Sequence, residues 1–474
     1  MLGSGGEQRV DSTTVVLRSA RIKVLLASFL TFLLSANIAW LNPSPQFEVY
    51  RTGSVPVLWQ YNPDAGVELV SAAWFPEAFR NYPERIGRPT YPALVGGLAR
   101  VVEVVASPIR PVTRLEATGI AYAAFKLATV LISGQLALGV LRRRIGQEAA
   151  VLGSILLVLH WHMVEYAAAF HTTDLQLTAT VAVLWLAMRV GERAERRAEL
   201  DPRVRKRLVT QDTFLAGLVV GLLLLAKQTL VAPLAVLAVL VLSGHLLLAV
   251  MATVGAGLPF AAYLLFLRIQ DITYVSWEVE EYGQGRWFVE ALRDPPLLRA
   301  ELLDALLAFP VDALRFYGPI LAFALYGWLR RGAGSVRRWD AWWVTLAAIA
   351  AFFQYVGVQR SVPYMTADLG IVLFGAAAVG LVAIRQSLLR RARGRGTVRR
   401  LLGERPLLAA AVTASIASAV LNLANFPLVP PAEQPSRDSA VLENRIDMLE
   451  RPDAYSDEAR RLARDGRIVE PDKD

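Results

Sequence analysis

The sequence predicts an all-α membrane protein, a polytopic bundle of about eleven transmembrane helices. Of its 474 residues, 54% are hydrophobic and only 19% are charged, and the mean hydropathy is +0.40. Soluble proteins carry about 25% charged residues, so part of this surface is expected to face lipid. Apolar segments also recur at the length that a helix needs to cross a bilayer, about 17 to 25 residues. These observations exclude a single soluble domain.

The apolar segments are separated by short polar or basic connections. We expect membrane spans at about 24–41, 115–141, 149–167, 172–190, 213–226, 228–243, 246–268, 311–329, 341–358, 363–384 and 407–424. The first span is too long for the core of a signal peptide, and Asn42 and Pro43 follow it where a small-residue cleavage site would stand. It is therefore predicted to be retained.

Clusters of arginine and lysine predict the orientation of the chain. Basic residues precede the first span, and the other clusters lie at 142–144, 189–207, 330–338 and 385–400. All of them face the cytoplasm if the stretch from Tyr91 to Ala106 lies along the outer surface instead of crossing the membrane. The opposite orientation places at least one cluster outside.

This orientation divides the chain into three parts. Residues 1–23 are expected in the cytoplasm. Residues 24–424 are expected to form the transmembrane domain, in the cell membrane, and residues 425–474 an extracytoplasmic tail. Outer loops are predicted at about 42–114 and 269–310. The cytoplasmic clusters account for the net charge of +9, so no nucleic-acid partner is predicted. The absence of cysteine excludes disulfides and thiolate chemistry.

Two carboxylates mark the first outer loop. Asp64 and Glu68 have the i, i+4 spacing that puts both on one face of a helix. The apolar residues Val67, Val70 and Trp74 would then face the membrane. A carboxylate held at a membrane surface can accept a proton from a hydroxyl group or bind a divalent cation. Alternatively, the two acids simply solvate an amphipathic surface helix.

The same loop contains two sequence patterns. The first, D-x-G-x-(Y/E)-L-x-x-A, begins at Asp64, and the second, RPxYPxLxxxLxR, begins at Arg88. Following a basic N-terminus and one helix, they resemble the GT-C superfamily of membrane glycosyltransferases, and the chain is similar to the protein mannosyltransferases and the aminoarabinose transferases over about residues 20–385. The resemblance implies a GT-C-like fold, a polyprenyl-phosphate-linked sugar donor, and an acceptor glycan, lipid or protein at the extracytoplasmic face.

The resemblance also implies roles for acidic residues. Asp64 takes the place of the family's catalytic or metal-contacting carboxylate. Many relatives carry a second acid directly after it, and this chain has Ala65 there, so Glu68 or Asp174 is expected to supply the second carboxylate. Asp174 opens the helix after the third predicted span, where related enzymes often have an acid. Tyr91 belongs to the second pattern and is a predicted substrate-binding residue.

Cationic residues are expected to bind the donor phosphate. Negative charge develops on the polyprenyl phosphate as the glycosidic bond breaks, and an outward-facing Arg or Lys would stabilise it. Lys227 and Arg360 lie at predicted outer helix ends, and Arg88 is a third candidate. The alternative for each is ordinary snorkelling of a long side chain at a helix terminus.

Three of the four histidines lie between His160 and Gln176. His162 and Glu165 have i, i+3 spacing, as do His171 and Asp174, so each pair shares a helix face. We therefore consider His162, Glu165 and His171 as candidate ligands of a divalent metal ion, zinc or manganese. The alternative is a set of interfacial polar residues, some lining a sugar pocket, because no compact motif such as HExxH is present.

The second outer loop is rich in aromatic residues. Trp277, Tyr282 and Trp287 stand among several acids. Aromatic rings beside carboxylates suit sugar binding, and they suit an aromatic belt at the membrane surface equally well.

Two function classes remain in competition. The first is a glycosyltransferase that uses a lipid-linked sugar. The second is a transporter or flippase of lipid-linked glycans, which would place ionisable residues near the middle of the membrane and often shows inverted repeats. Lys126 is such a residue, but no repeat is evident. A noncatalytic scaffold would leave the polar residues of the outer loops unexplained.

Overall fold

The computed structural model describes residues 7–41, 64–81, 85–168, 172–275, 285–330, 345–352, 362–391 and 446–456, with the single residues 409, 413, 444 and 459. All regular structure in these ranges is helical, which confirms the predicted all-α class. The helices in chain order are α1 (Glu7–Leu41), α2 (Asp64–Ala73), α3 (Ala78–Asn81), α4 (Thr90–Ala106), α5 (Arg114–Ile145), α6 (Gln147–Leu159), α7 (Trp161–Tyr166), α8 (Thr173–Arg196), α9 (Pro202–Ala226), α10 (Val231–Leu242), α11 (Leu246–Ile269), α12 (Arg286–Arg293), α13 (Pro295–Tyr317), α14 (Pro319–Arg330) and α15 (Val362–Arg391).

Several helices have the length and composition of membrane spans. The long apolar segments are Leu17–Ala36, Arg114–Ile145, Pro202–Ala226, Leu246–Ile269 and Ala367–Arg390. Shorter apolar helices occupy Gln147–Leu159, Val231–Leu242 and Pro319–Leu329. The predicted spans at 341–358 and 407–424 lie largely outside the described residues. The number of about eleven membrane helices therefore stays a prediction.

Two predicted spans are interrupted by a break in the helix. The span expected at 149–167 consists of α6 and α7, because His160 has extended backbone angles (φ −64°, ψ 148°) and its side chain accepts a hydrogen bond from the amide of His162. The span expected at 311–329 is divided between α13 and α14 at Gly318, whose φ of 51° favours glycine. Breaks of this kind are tolerated within a membrane protein where other protein segments surround them.

The apolar core is centred on α6. Most of the side chains of this helix are buried, and it packs against α1, α5 and α15. Helix α8 packs against α5 and α15 and continues the same core. Helices α5, α8 and α15 also carry the buried charged residues Lys126, Asp174 and Asp368, so part of the candidate site described below adjoins this core.

Two other helix pairs approach closely through small residues. In the α9–α11 pair, a Cβ atom at Gly217 or Gly221 would lie 2.4 Å from the carbonyl oxygen of Ala252 or Ala256. In the α14–α15 pair, a Cβ atom at Gly327 would lie 2.0 Å from a carbonyl oxygen. Small residues at helix contacts are typical of membrane proteins, because helices in lipid associate through close packing. The outer faces of α9 and α11 expose large apolar side chains suited to lipid contact.

The first-loop helices cover one end of the bundle. The stretch predicted as a surface helix forms α4, which buries Tyr91, Val95 and Ala99. It packs against α2, α5 and α9. Its contact with α2 is close, since a Cβ atom at Gly96 would lie 2.3 Å from the carbonyl oxygen of Ala72. These contacts fix α2 over the end of α5.

A segment of the C-terminal tail lies against α2. Ile446 is buried in a small cluster with Val70, Ala73 and Trp74. The apolar side of α2, which was expected to face the membrane, therefore contacts protein. The described part of the tail thus lies beside α2, and the orientation of the chain in the membrane stays a prediction.

Candidate functional site

Glu68 of α2 points into the protein. Its side chain is fully buried, and Oε1 lies 2.9 Å from Nε of Arg85. The interpretation of Glu68 as a solvated acid on a surface helix is therefore wrong, because the ion pair faces the helix bundle. Asp64 begins α2 one helical turn before Glu68, on the same helix face. The position of its side chain lies outside what the structure describes.

A second ion pair joins α5 to α8. Lys126 donates a hydrogen bond to Oδ1 of Asp174, and both side chains have an exposed fraction of 0%. The other carboxylate oxygen of Asp174 accepts no hydrogen bond from the described residues. Asp174 lies in the first turn of α8, where the helix dipole favours a negative charge. The sequence identified both residues but did not predict that they pair.

Two buried tyrosines lie close enough to both ion pairs to interact with Glu68 and Asp174 electrostatically. The rings of Tyr91 and Tyr122 meet edge to face with centroids 5.0 Å apart. Burial raises the pKa of Tyr91 well above its usual value, and the charges of the neighbouring Asp174 and Glu68 contribute to this shift. Tyr91 therefore stays a neutral phenol at physiological pH. We call the following residues the buried charge cluster: Glu68, Arg85, Tyr91, Tyr122, Lys126 and Asp174.

Lys227 lies at the junction between α9 and α10. The chain leaves the helical conformation there, with φ −151° and ψ 123° at Lys227. The side chain is buried, and Nζ donates a hydrogen bond to Oγ1 of Thr172, 3.4 Å away, directly before α8. The snorkelling alternative is therefore wrong for Lys227, since its ammonium group is turned into the protein.

Asp368 of α15 is a buried acid that the sequence analysis missed. Its carboxylate accepts hydrogen bonds from Thr229 at 3.0 Å, from Gln176 at 3.0 Å and from Thr180 at 3.2 Å. The signal available in the sequence was a single Asp in an otherwise apolar predicted span. Its partners come from α8 and from the segment between α9 and α10, both distant in the sequence, so local patterns do not reveal them.

The remaining predicted site residues are placed as follows. Arg88 is partly exposed and follows Gly87, whose carbonyl accepts a hydrogen bond from Gln228. Trp287 lies in α12, with its ring against Phe288. Outside the described side chains lie Glu165, His171, Trp277, Tyr282 and Arg360.

The proposed metal ligands are only partly described. His162 is fully buried, and its ring centroid lies 5.3 Å from that of Tyr166. Within the described part of the chain, no group of three His, Asp or Glu side chains is close enough to hold a metal ion. Because two of the three suggested ligands lie outside that part, the metal site stays a prediction.

No protein-family model and no curated protein sequence matches the chain. The structure is similar to an oligosaccharyltransferase of Archaeoglobus fulgidus in its apo form, with 16% identity and a TM-score of 0.49 over 96% of this chain. It is also similar to ArnT of Cupriavidus metallidurans bound to undecaprenyl phosphate, with 12% identity and a TM-score of 0.45 over 82% of this chain and 76% of ArnT.

This chain spans 61% of the archaeal oligosaccharyltransferase. At such identities the likeness concerns the helical architecture. The activity of this protein depends on its own residues.

Proposed function

We propose that this protein is a membrane glycosyltransferase that transfers a sugar from a polyprenyl-phosphate donor to an acceptor glycan, lipid or protein at the extracytoplasmic face. The observation that carries the proposal is the buried charge cluster beneath the first-loop helices. Removing an ion from water costs several kcal/mol even in a relaxed protein interior, so roughly that penalty applies to each of the four ionisable members Glu68, Arg85, Lys126 and Asp174 when it is charged. Ionisable groups kept in such surroundings within a membrane protein usually serve function.

The position of the charges favours an enzyme over a transporter. Asp174 and Asp368 lie near the beginnings of α8 and α15, and Lys227 follows the end of α9. The opposite end of α5 carries Arg142–Arg144. Lys126, although near the middle of its predicted span, pairs with Asp174 in the first turn of α8, so the buried charges collect toward one end of the bundle, opposite the arginine-rich end. A translocation path for a charged headgroup would need polar groups along the membrane thickness.

The proposed chemistry has two requirements. The acceptor hydroxyl loses a proton, and the leaving polyprenyl phosphate gains negative charge. Asp64 is the proposed base or cation ligand, with Glu68 and Asp174 as the other acids. Lys227, Arg88 and Arg360 are the proposed phosphate-binding residues. Aromatic contacts to the sugar are proposed for Tyr91, Trp277, Tyr282 and Trp287.

The Glu68–Arg85 pair would align the proposed base, Asp64, with the proposed phosphate-binding residue Arg88. Arg85 and Arg88 belong to one turn, in which the amide of Arg88 donates to the carbonyl of Arg85 at 2.9 Å. The ion pair therefore ties α2, which begins at Asp64, to the turn that carries Arg88. A base and a phosphate-binding cation held on one rigid unit would reduce the entropy cost of bringing the reactants together.

A divalent cation is a further proposal, with His162, Glu165 and His171 as ligands. It would supply Lewis-acid stabilisation of the phosphate. The buried imidazole of His162 is compatible with a ligand role, because neutral imidazole nitrogens bind zinc and manganese.

Transfer of labelled sugar from a panel of polyprenyl-phosphate sugars tests the proposal. Membranes would contain the unsubstituted protein, Asp64→Asn, or Glu103→Gln as a control acid on α4 outside the cluster. We expect transfer by the unsubstituted protein and by Glu103→Gln, and none by Asp64→Asn at equal expression. Movement of lipid-linked glycan across the bilayer without any sugar transfer would instead identify a flippase.

A further inference from the structure

The junction between α9 and α10 interrupts a strongly apolar part of the chain. Helix α9 ends at Ala226 and α10 begins at Val231, so Lys227 to Leu230 lie outside both helices. Non-helical backbone between two apolar helices leaves amide and carbonyl groups unpaired, and a membrane protein tolerates it where protein or a polar cavity surrounds it. The junction must therefore be held by specific contacts.

Three consecutive side chains of the junction bind three separate parts of the protein. Lys227 bonds to Thr172 before α8, at 3.4 Å. Gln228 bonds to the carbonyl oxygen of Gly87 in the first outer loop, at 3.2 Å. The third residue, Thr229, is buried and donates to Asp368, at 3.0 Å. The junction thus joins the elements from which the candidate site is built.

Asp368 connects this junction to α8 as well. One of its oxygens accepts from Thr229 and Thr180, and the other accepts from Gln176. Lys227 is also close enough to interact with the carboxylate electrostatically. One carboxylate therefore fixes both the segment that carries Lys227 and the helix that carries Asp174.

We infer that Asp368 is a positioning residue: it holds the α9–α10 junction so that the Lys227 ammonium group is directed toward the start of α8, where the phosphate of the donor binds. The binding of the donor phosphate near Lys227 rests on the proposed function. The positioning of the junction by Asp368 is independent of that function, since it follows from the hydrogen bonds alone. Asp368 acts through Thr229 and Lys227 and touches no reacting atom.

The mobility of the α9–α10 junction tests whether Asp368 holds this segment, and the measurement requires no enzymatic activity. The chain contains no cysteine, so Leu230→Cys gives one attachment site for a nitroxide spin label at a residue that is 45% exposed. We expect an immobilised spectrum in the parent. Thr229→Val should increase the mobility of the label. Thr229→Ser should give the immobilised spectrum of the parent, because serine keeps the hydroxyl. Thr253→Val serves as the matched control, since that hydroxyl bonds to Ala249 of its own helix.

Kinetics test the phosphate part. The variants are Asp368→Asn, Lys227→Gln and the double variant, assayed for KM of the lipid-linked donor and for kcat. If Asp368 acts through Lys227, each single variant raises KM by about tenfold, and the double variant is no worse than Lys227→Gln alone. Independent contributions would instead multiply, and multiplied effects would overturn the inference.

The possible failures are distinguishable. An unchanged label spectrum in Thr229→Val overturns the role of Asp368, whatever the activity. The other outcome combines two results: the label becomes more mobile in Thr229→Val, and the protein transfers no sugar from any donor. This outcome overturns the proposed function and supports the inference that Asp368 holds the junction.

Discussion

Helices α5 and α8 are joined by two ion pairs in opposite surroundings. Toward one end, Lys126 and Asp174 are both fully buried. Toward the other end, the side chains of Arg143 and Glu192 are 22% and 26% exposed. Glu192 also pairs with Arg189, at 3.2 Å. The same two helices thus carry a solvated pair with alternative partners and a buried pair in a fixed arrangement.

The difference shows which pair is expected to serve function. A solvated pair contributes about 0–1 kcal/mol to stability and loses part of that in salt. A buried pair costs desolvation energy that hydrophobic residues of the same volume would avoid. Stability alone therefore gives no reason to keep Lys126 and Asp174 charged. Their location beneath the first-loop helices, at the candidate site, indicates that the reason is function.

The largest effect is expected from separating the buried pair. Lys126→Met leaves the Asp174 carboxylate without its partner and should lower the free energy of unfolding by about 3–5 kcal/mol. The double substitution Lys126→Met/Asp174→Leu should recover most of that stability and still transfer no sugar. Thermal unfolding in detergent and the transfer assay measure the two quantities. A stable double variant with full transfer would show that the buried pair is merely structural.

The closure of α2 over the buried end predicts an intermediate effect. Gly96→Ala would place a methyl group 2.3 Å from the carbonyl oxygen of Ala72, so α2 and α4 must separate. Overpacking of this kind costs about 1–3 kcal/mol, and we expect reduced transfer because α2 carries Asp64. Gly97→Ala is the matched control, since nothing lies within 4 Å of the added methyl group. It should be neutral or stabilising, because alanine favours a helix. Equal effects of the two substitutions would contradict this packing.

A smaller effect is expected at the solvated pair. Arg143→Gln should lower the free energy of unfolding by about 0–1 kcal/mol, and the loss should shrink further in high salt. Sugar transfer should be unchanged. Unfolding measured at low and high ionic strength checks this, and a loss comparable to that of Lys126→Met would remove the distinction between the two pairs.

The smallest effect is expected at an ion pair outside the bundle. In the tail segment, hydrogen bonds from Arg451 and Tyr455 lower the pKa of Asp447 below its usual value of 3.8. The folded form thus holds its proton less tightly than the unfolded form. The stabilising contribution is complete above the usual value and is lost as the pH falls below it. The protection of the amides of residues 446–456 against exchange, taken relative to the intrinsic exchange rate at each pH, should therefore fall in acid, and Asp447→Asn should abolish that fall. An identical acid response in the variant would assign it to another group.

Local pattern was enough to predict many elements. The apolar stretch that starts near Tyr91 forms a helix as expected, and α2 begins at Asp64, where the carboxylate spacing predicted a helix. The interruption at His160 was not predicted. The predicted span runs past it to residue 167, and the break is accompanied by a side-chain hydrogen bond that composition does not reveal.

The candidate site was predicted only in part. Glu68, Asp174 and Lys227 were selected, partly from the family resemblance, and all three are buried at one end of the bundle. Arg85 was not singled out, because an arginine in a polar loop is ordinary. Asp368 was missed because a single acid in an apolar segment gives no indication of its partners.

Composition and periodicity along the chain predict that it is helical, that it is suited to lipid, and which segments carry the basic clusters. These properties are local. The contacts of Glu68 with Arg85, of Lys126 with Asp174, and of Asp368 with Thr229 beside Lys227 form only when the helices pack together. These partners come from different helices, and their meeting depends on how apolar faces and small residues pack, which no single segment specifies.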